Sequence, residues 1–187
     1  MSSTLPIVET FHSLQAEGLH FGKSAFFIRL GGCNVGCPWC DTKESWPMKG
    51  HPEESIFNIA QKATEAQSKG ASISVITGGE PLHHNLNSLC NAINKSTMHQ
   101  NHKKLPIHLE TSGVDDVSGT ISWITLSPKR HAPPRTSVLQ ACNEIKVVIH
   151  KKEDLLFAEH IAKEAMHERK AYYHKEGKMT QPYLFLQ

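Results

Sequence analysis

Three cysteines within eight residues are the densest concentration of reactive side chains in the chain. The segment Gly31-Gly32-Cys33-Asn34-Val35-Gly36-Cys37-Pro38-Trp39-Cys40 has the spacing CxxxCxxC. Its glycines allow the tight backbone path needed to aim three thiolates at one point. Two metals suit such a set. Structural zinc takes four protein ligands, so one of the 13 histidines would have to complete the site. An iron–sulfur cluster normally takes four cysteines; held by three, it keeps one iron open to a substrate or cofactor. Cys90 and Cys142 sit among apolar residues and read as core. The odd total of five argues against a disulfide framework.

Other polar signatures follow apolar runs: Thr77-Gly78-Gly79-Glu80-Pro81, Glu110-Thr111-Ser112-Gly113 and Ser127-Pro128-Lys129. Each alone is an ordinary turn. Arg29 interrupts the run Ser24–Leu30, on the face of Ala25 and Phe27 by period-two alternation. An Arg turned inward needs an anionic partner, and a ligand carboxylate suits its fork. Phe11 to Gly18 reads as a loop with a solvated Glu17. His83-His84 is a weak metal candidate without a third ligand.

The elements that must position these residues alternate. Strands are expected at 24–30, 72–77, 107–110, 122–126, 144–149 and 183–186. Helices are expected at 52–69, 86–93 and 153–168. Such alternation implies parallel pairing and a common mouth at the strands' C-terminal ends. The expected fold is α/β: an incomplete (β/α)6 TIM-like barrel, with fewer strands than the eight of a closed barrel.

Composition sets the outer bounds. The 187 residues suit a single domain spanning 1–187, with 39% hydrophobic and 20% charged residues and a net charge of +2. That balance gives no support for a nucleic-acid or membrane-surface protein. No apolar run approaches the ~20 residues of a membrane helix, and Met1 to Glu9 lacks a secretory pattern. A cytoplasmic location is expected. The Lys- and His-rich stretch from Lys163 to Lys178 reads as a solvated helix face and loop.

The cysteine triplet after the first strand, with Gly-Gly-Glu-Pro after the second, resembles the radical S-adenosylmethionine (SAM) superfamily. The resemblance favours a 4Fe-4S cluster on Cys33, Cys37 and Cys40, whose open iron chelates SAM and whose electron releases a 5′-deoxyadenosyl radical. Leu14-Gln15-Ala16-Glu17-Gly18, Phe26–Leu30 and Cys33 to Thr42 together resemble the 7-carboxy-7-deazaguanine synthase family, densely over positions 8 to 46. The implied reaction converts 6-carboxy-5,6,7,8-tetrahydropterin to 7-carboxy-7-deazaguanine with loss of ammonia, SAM being regenerated. Implied substrate contacts are Leu14, Gln15, Ala16, Arg29 and Thr77; implied SAM contacts are Trp39, Cys40, Asp41, Gly79, Ser127, Pro128 and Lys129. Thr42 is the implied Mg2+ ligand. Reduced flavodoxin or ferredoxin is the implied electron donor, and a homodimer the implied assembly.

The chain departs from the family at Ala16, usually Gly, where a left-handed backbone would strain an alanine. It also ends at Gln187, earlier than is usual for the family, so contacts from a longer tail are expected to be absent or supplied otherwise. Activation of a glycyl-radical partner protein is the alternative activity, and a zinc-stabilised interaction module the non-enzymatic one.

Overall fold

The computed structural model describes residues 3–173 and 181–187. Two strands that sequence reading missed frame the start: β1 (Thr4–Leu14) and β3 (Glu53–Ser55). The six expected strands are β2 (Ser24–Leu30), β4 (Ile73–Gly78), β5 (Ile107–Thr111), β6 (Trp123–Leu126), β7 (Glu144–Val147) and β8 (Tyr183–Leu186). The sheet order is β3-β1-β2-β4-β5-β6-β7-β8. From β2 to β8 every pairing is parallel, while β1 runs antiparallel to both β2 and β3. The outermost strands of this order do not pair with each other, so the barrel stays open.

Four helices serve the crossovers: α1 (Ile56–Ser68), α2 (Asn87–Asn101), α3 (Thr136–Ala141) and α4 (Lys152–Tyr173). The β5–β6 connection has none. Phe11 to Leu14, expected as loop, belongs to β1, whose last three residues are exposed and are held by backbone pairing to β2. The helix expected from Pro52 starts at Ile56, because Glu53–Ser55 pairs with β1 and the Ser55 hydroxyl caps the helix by accepting from Asn58 N–H at 3.1 Å. α2 runs past its expected end at Ile93. Thr97 lies buried there and returns its hydroxyl to the Ile93 carbonyl, so a polar residue continues the inward stripe. Of the Lys163 to Lys178 stretch, residues 174–180 lie outside the described residues.

The sheet separates two apolar layers. Ile28, Leu30, Ile76, Leu109, Leu126 and Ile145 face the helices and form the main core with Ile59, Leu89, Ile93, Val138 and Ile161. Ala25, Phe27, Ile73 and Val75 face the concave side, where Phe11 stacks on Phe27 at 4.9 Å. Cys90 and Cys142 are fully buried and burial pushes both thiols up to about 11, as befits inert core residues.

The β1–β2 loop enters the concave side at the strands' N-terminal ends. His20 packs on His108 and Trp123, each at 4.5 Å, and Trp123 stacks on Tyr183. Burial, then the nearby charges of His20 and Lys23, push His108 down to about 4. Burial and Lys23 lower His20 too, against Glu144. The unfolded chain therefore takes up these protons near pH ~6.5 while the folded chain refuses them. Urea unfolding is expected to show stability falling as pH drops from about 6.5 to 5, above most carboxylate titration. His108→Asn should flatten that slope; an unchanged slope would refute the assignment.

Candidate active site

At the opposite end of the strands, a cleft of about 590 Å³ is lined by Gln15, Ala16 and Leu14 from the β1 exit, Arg29 from β2 and Thr77 and Gly79 from β4. The loop after β2 adds Cys33, Cys37, Trp39, Cys40, Asp41 and Thr42, and the turn after β6 adds Ser127 and Lys129. Every residue expected at the site is on this wall except Pro128. A groove of about 530 Å³ between α4 and β8 shares no residue with the cleft.

The cysteine loop is held mainly through its backbone. Gly32 N–H donates to Ser45 O at 2.7 Å, Cys33 N–H to Trp46 O at 3.0 Å, and Glu80 N–H to Gly32 O at 3.0 Å. Three imidazoles hold the same loop: His83 accepts from Asn34 N–H, while His84 and His131 donate to Gly31 O and Val35 O at 2.8 and 2.9 Å. Asp115, 2.6 Å from His83 Nδ1, fixes that ring. The His83-His84 pair therefore shapes the loop. There is no room for a side chain at Gly79, where an added Cβ would meet Gly32 O at 2.4 Å and Cys33 Cβ at 2.8 Å.

The donor set fits a cluster bound by three thiolates. Burial raises the Cys33 and Cys37 thiols, and the other two cysteines of the triplet add to the rise at Cys37. Lys129 opposes it at Cys37. Among the described residues no three Cys, His, Asp or Glu side chains already converge as a metal site. Binding of a metal cluster by these thiols would remove their protons, which thiolate–metal bonds do.

Polar side chains inside the cleft are paired across elements. Glu110 accepts from Gln15 Nε2 at 3.0 Å and Thr77 Oγ1 at 3.1 Å. Glu17 is not a solvated loop residue: it pairs with Lys146 and accepts from Gln187. Burial opposes its charge, but these partners hold its carboxyl below the usual value. Arg29 meets an anion already, Glu9 on β1 at 2.7 Å, in direct register. Ala16 causes no strain, since His102 is the one non-glycine residue with positive φ among the described residues. Glu9, Lys146, Gln187 and His131 escaped sequence reading. Lys146 carried the same signal as Arg29, a charge interrupting an apolar strand.

A family model described as the radical SAM superfamily matches residues 27–121. A 7-carboxy-7-deazaguanine synthase of Prochlorococcus marinus is 64% identical, over 100% of this chain and 84% of that protein. The Escherichia coli K12 protein of the same name is 37% identical, over 80% of this chain and 74% of its own. The crystal structure of QueE from Escherichia coli superposes with a TM-score of 0.72 at 31% identity, covering 98% of this chain and 82% of that one.

Gly79→Ala is expected to displace Gly32 and Cys33 without unfolding the sheet. Iron and acid-labile sulfide per chain, after anaerobic reconstitution, should fall severalfold while the far-UV circular dichroism stays unchanged. Full loading of the variant would show that the close approach does not set the loop.

Proposed function

The chain belongs to the 7-carboxy-7-deazaguanine synthase family of the radical SAM superfamily, and we propose that the cleft at the strands' C-terminal ends is where its reaction takes place. The enzyme converts 6-carboxy-5,6,7,8-tetrahydropterin to 7-carboxy-7-deazaguanine with loss of ammonia, in queuosine-type deazapurine biosynthesis. Activation of a glycyl-radical partner is not favoured by relatives that all carry the synthase name. A 4Fe-4S cluster with an open iron, together with SAM, supplies the hydrogen-abstracting radical; the chain's own work is holding, orienting and shielding.

In this reading Cys33, Cys37 and Cys40 hold the cluster. Trp39, Cys40, Asp41, Gly79, Ser127, Pro128 and Lys129 hold SAM, with Pro128 acting by shaping the turn rather than by lining the cleft. Gly79 offers backbone without side-chain bulk. Leu14, Gln15, Ala16, Arg29 and Thr77 hold the pterin, and Arg29 takes its carboxylate, with Glu9 keeping the guanidinium in place. Thr42 offers a hydroxyl to Mg2+, an ion that draws its other ligands from substrate and water. Reduced flavodoxin or ferredoxin supplies electrons in the cytoplasm, and the enzyme works as a homodimer. The described residues contain no helix long and apolar enough to cross a membrane.

The observation that carries this reading is the convergence of the triplet, the Gly-Gly-Glu-Pro turn and Arg29 on one cleft wall. Protein reconstituted anaerobically and given SAM, Mg2+ and reductant should turn the carboxypterin into the deazaguanine and ammonia in equal amounts; no turnover would overturn it. Arg29→Gln should lower kcat/KM about ten- to a hundredfold, the worth of a charged hydrogen bond, mostly through KM. Thr42→Ala should raise the Mg2+ concentration needed for half-maximal rate. An unaltered Mg2+ dependence would remove that residue from the ion.

A further inference from the structure

We infer that Trp46 is a positioning residue for the cluster, its indole N–H donating to the sulfur of Cys40 and so setting the reduction potential. The inference rests on the cysteine triplet being the cluster's ligand set.

Trp46 follows a single 3-10 turn over Lys43–Ser45, six residues after the last cysteine. Its two polar groups reach opposite ends of the triplet. The carbonyl accepts from Cys33 N–H at 3.0 Å, and the indole Nε1 donates to Cys40 Sγ at 3.3 Å. One residue thus joins the first cysteine to the third. Its own position is fixed from behind. Ser45, fully buried, accepts through its carbonyl from Gly32 N–H and turns its hydroxyl onto Thr42 O at 2.6 Å. Lys43 Nζ lies 5.8 Å from the indole centroid, a cation on the face of the ring. Trp46 also lines the cleft.

Nothing in packing alone calls for that nitrogen. The structural work of the turn is done by the backbone bonds to Gly32 and Cys33, which any residue at 46 could keep. The indole N–H is additional, and its acceptor is a sulfur atom rather than a carbonyl. Donors to cluster sulfur withdraw negative charge from the ligand. They stabilise the reduced, more electron-rich cluster and raise its potential. In a site that must be reduced by an external donor before SAM can be cleaved, that tuning governs how readily the electron arrives.

Two variants separate the donor from the ring. Trp46→Phe keeps an aromatic face and the backbone bonds but has no N–H; Trp46→His restores a ring N–H. Potentiometric titration of the reconstituted protein, followed by electron paramagnetic resonance, should place Trp46→Phe at a more negative potential than wild type. A tenfold change in the reduced-to-oxidised ratio is ~59 mV for one electron. Trp46→His should return part of the shift. In the wild type, double resonance on the reduced cluster should show an exchangeable proton coupling that vanishes in deuterium oxide. An unshifted potential in a fully loaded Trp46→Phe overturns the inference. So does the absence of that proton coupling in the wild type, which decides the matter if the variant cannot hold its cluster. A wild type that takes up no iron or sulfide instead overturns the ligand assignment, a distinct outcome.

Discussion

A single buried carboxylate fixes the mouth of this enzyme. Glu80 is 1% exposed. Its oxygens accept from Leu82 N–H at 3.0 Å, Thr111 Oγ1 at 2.5 Å, Ser112 N–H at 2.8 Å and the Ser112 hydroxyl. A buried carboxylate without partners costs several kcal/mol, so this side chain is held to its four donors. Two of the residues that supply them belong to the end of β5 and the turn after it. Its own N–H goes to Gly32 O, at the exit of β2. Glu80 therefore ties three strand ends together, and the cysteine loop takes its position from that knot. The carboxylate is fully used in structure. What the Gly-Gly-Glu-Pro turn can offer a ligand is its backbone.

Strand parity explains why charged residues occur inside apolar strands. Once Ile28 and Leu30 face the helices, parity sends Arg29 to the concave side. Parallel register then carries that parity across the sheet: Arg29 pairs with Thr77, Glu110 with Thr125, and Thr125 with Glu144. A row of polar side chains crosses the interior below the mouth, while the row nearer the strands' N-terminal ends is Phe27, Val75, His108 and Trp123. The concave surface grades from aromatic to charged toward the ligand end. The β1–β2 loop spans both zones, with His20 in the aromatic one and Gln15 and Glu17 in the charged one.

Those rows were legible in the sequence where local signals sufficed. Six short β-rich runs, the first four each followed by a polar or glycine-rich turn, are the six parallel strands, and the cysteine spacing marked the loop. β1 was not legible because its last three residues are exposed and its apolar residues show no sustained alternation; pairing with β2 and β3 makes it a strand. β3 is three residues whose one reason to be extended is β1. α3 is a six-residue helix whose apolar stripe amounts to Val138 and Leu139, too short for a period to show. At the site, spacing identified groups that act together along the chain, such as the triplet. It could not pair Glu17 with Lys146, or His131 with Val35, since those contacts join residues 129 and 96 positions apart.

Two half-buried lysines on the cleft wall show how such long-range pairings decide electrostatics. Burial lowers both, but their neighbours differ. Lys146 faces Glu110, Glu17 and Glu144, and together these carboxylates outweigh burial and hold its ammonium above the usual value. At an effective dielectric of about 20, one contact ion pair near 4 Å is worth about 4 kcal/mol, enough to offset desolvation. Lys129 has weaker company: burial dominates, Cys37, Glu80 and Cys40 oppose it only in part, and its ammonium sits below the usual value. Lys146 is thus a committed cation that fastens Glu17 and the loop it rides on. Lys129, whose ammonium donates to the Ser127 hydroxyl at 2.8 Å, is less fully compensated. The coupling is reciprocal, since the charge that lowers the Cys37 thiol is the same one that the thiolate raises.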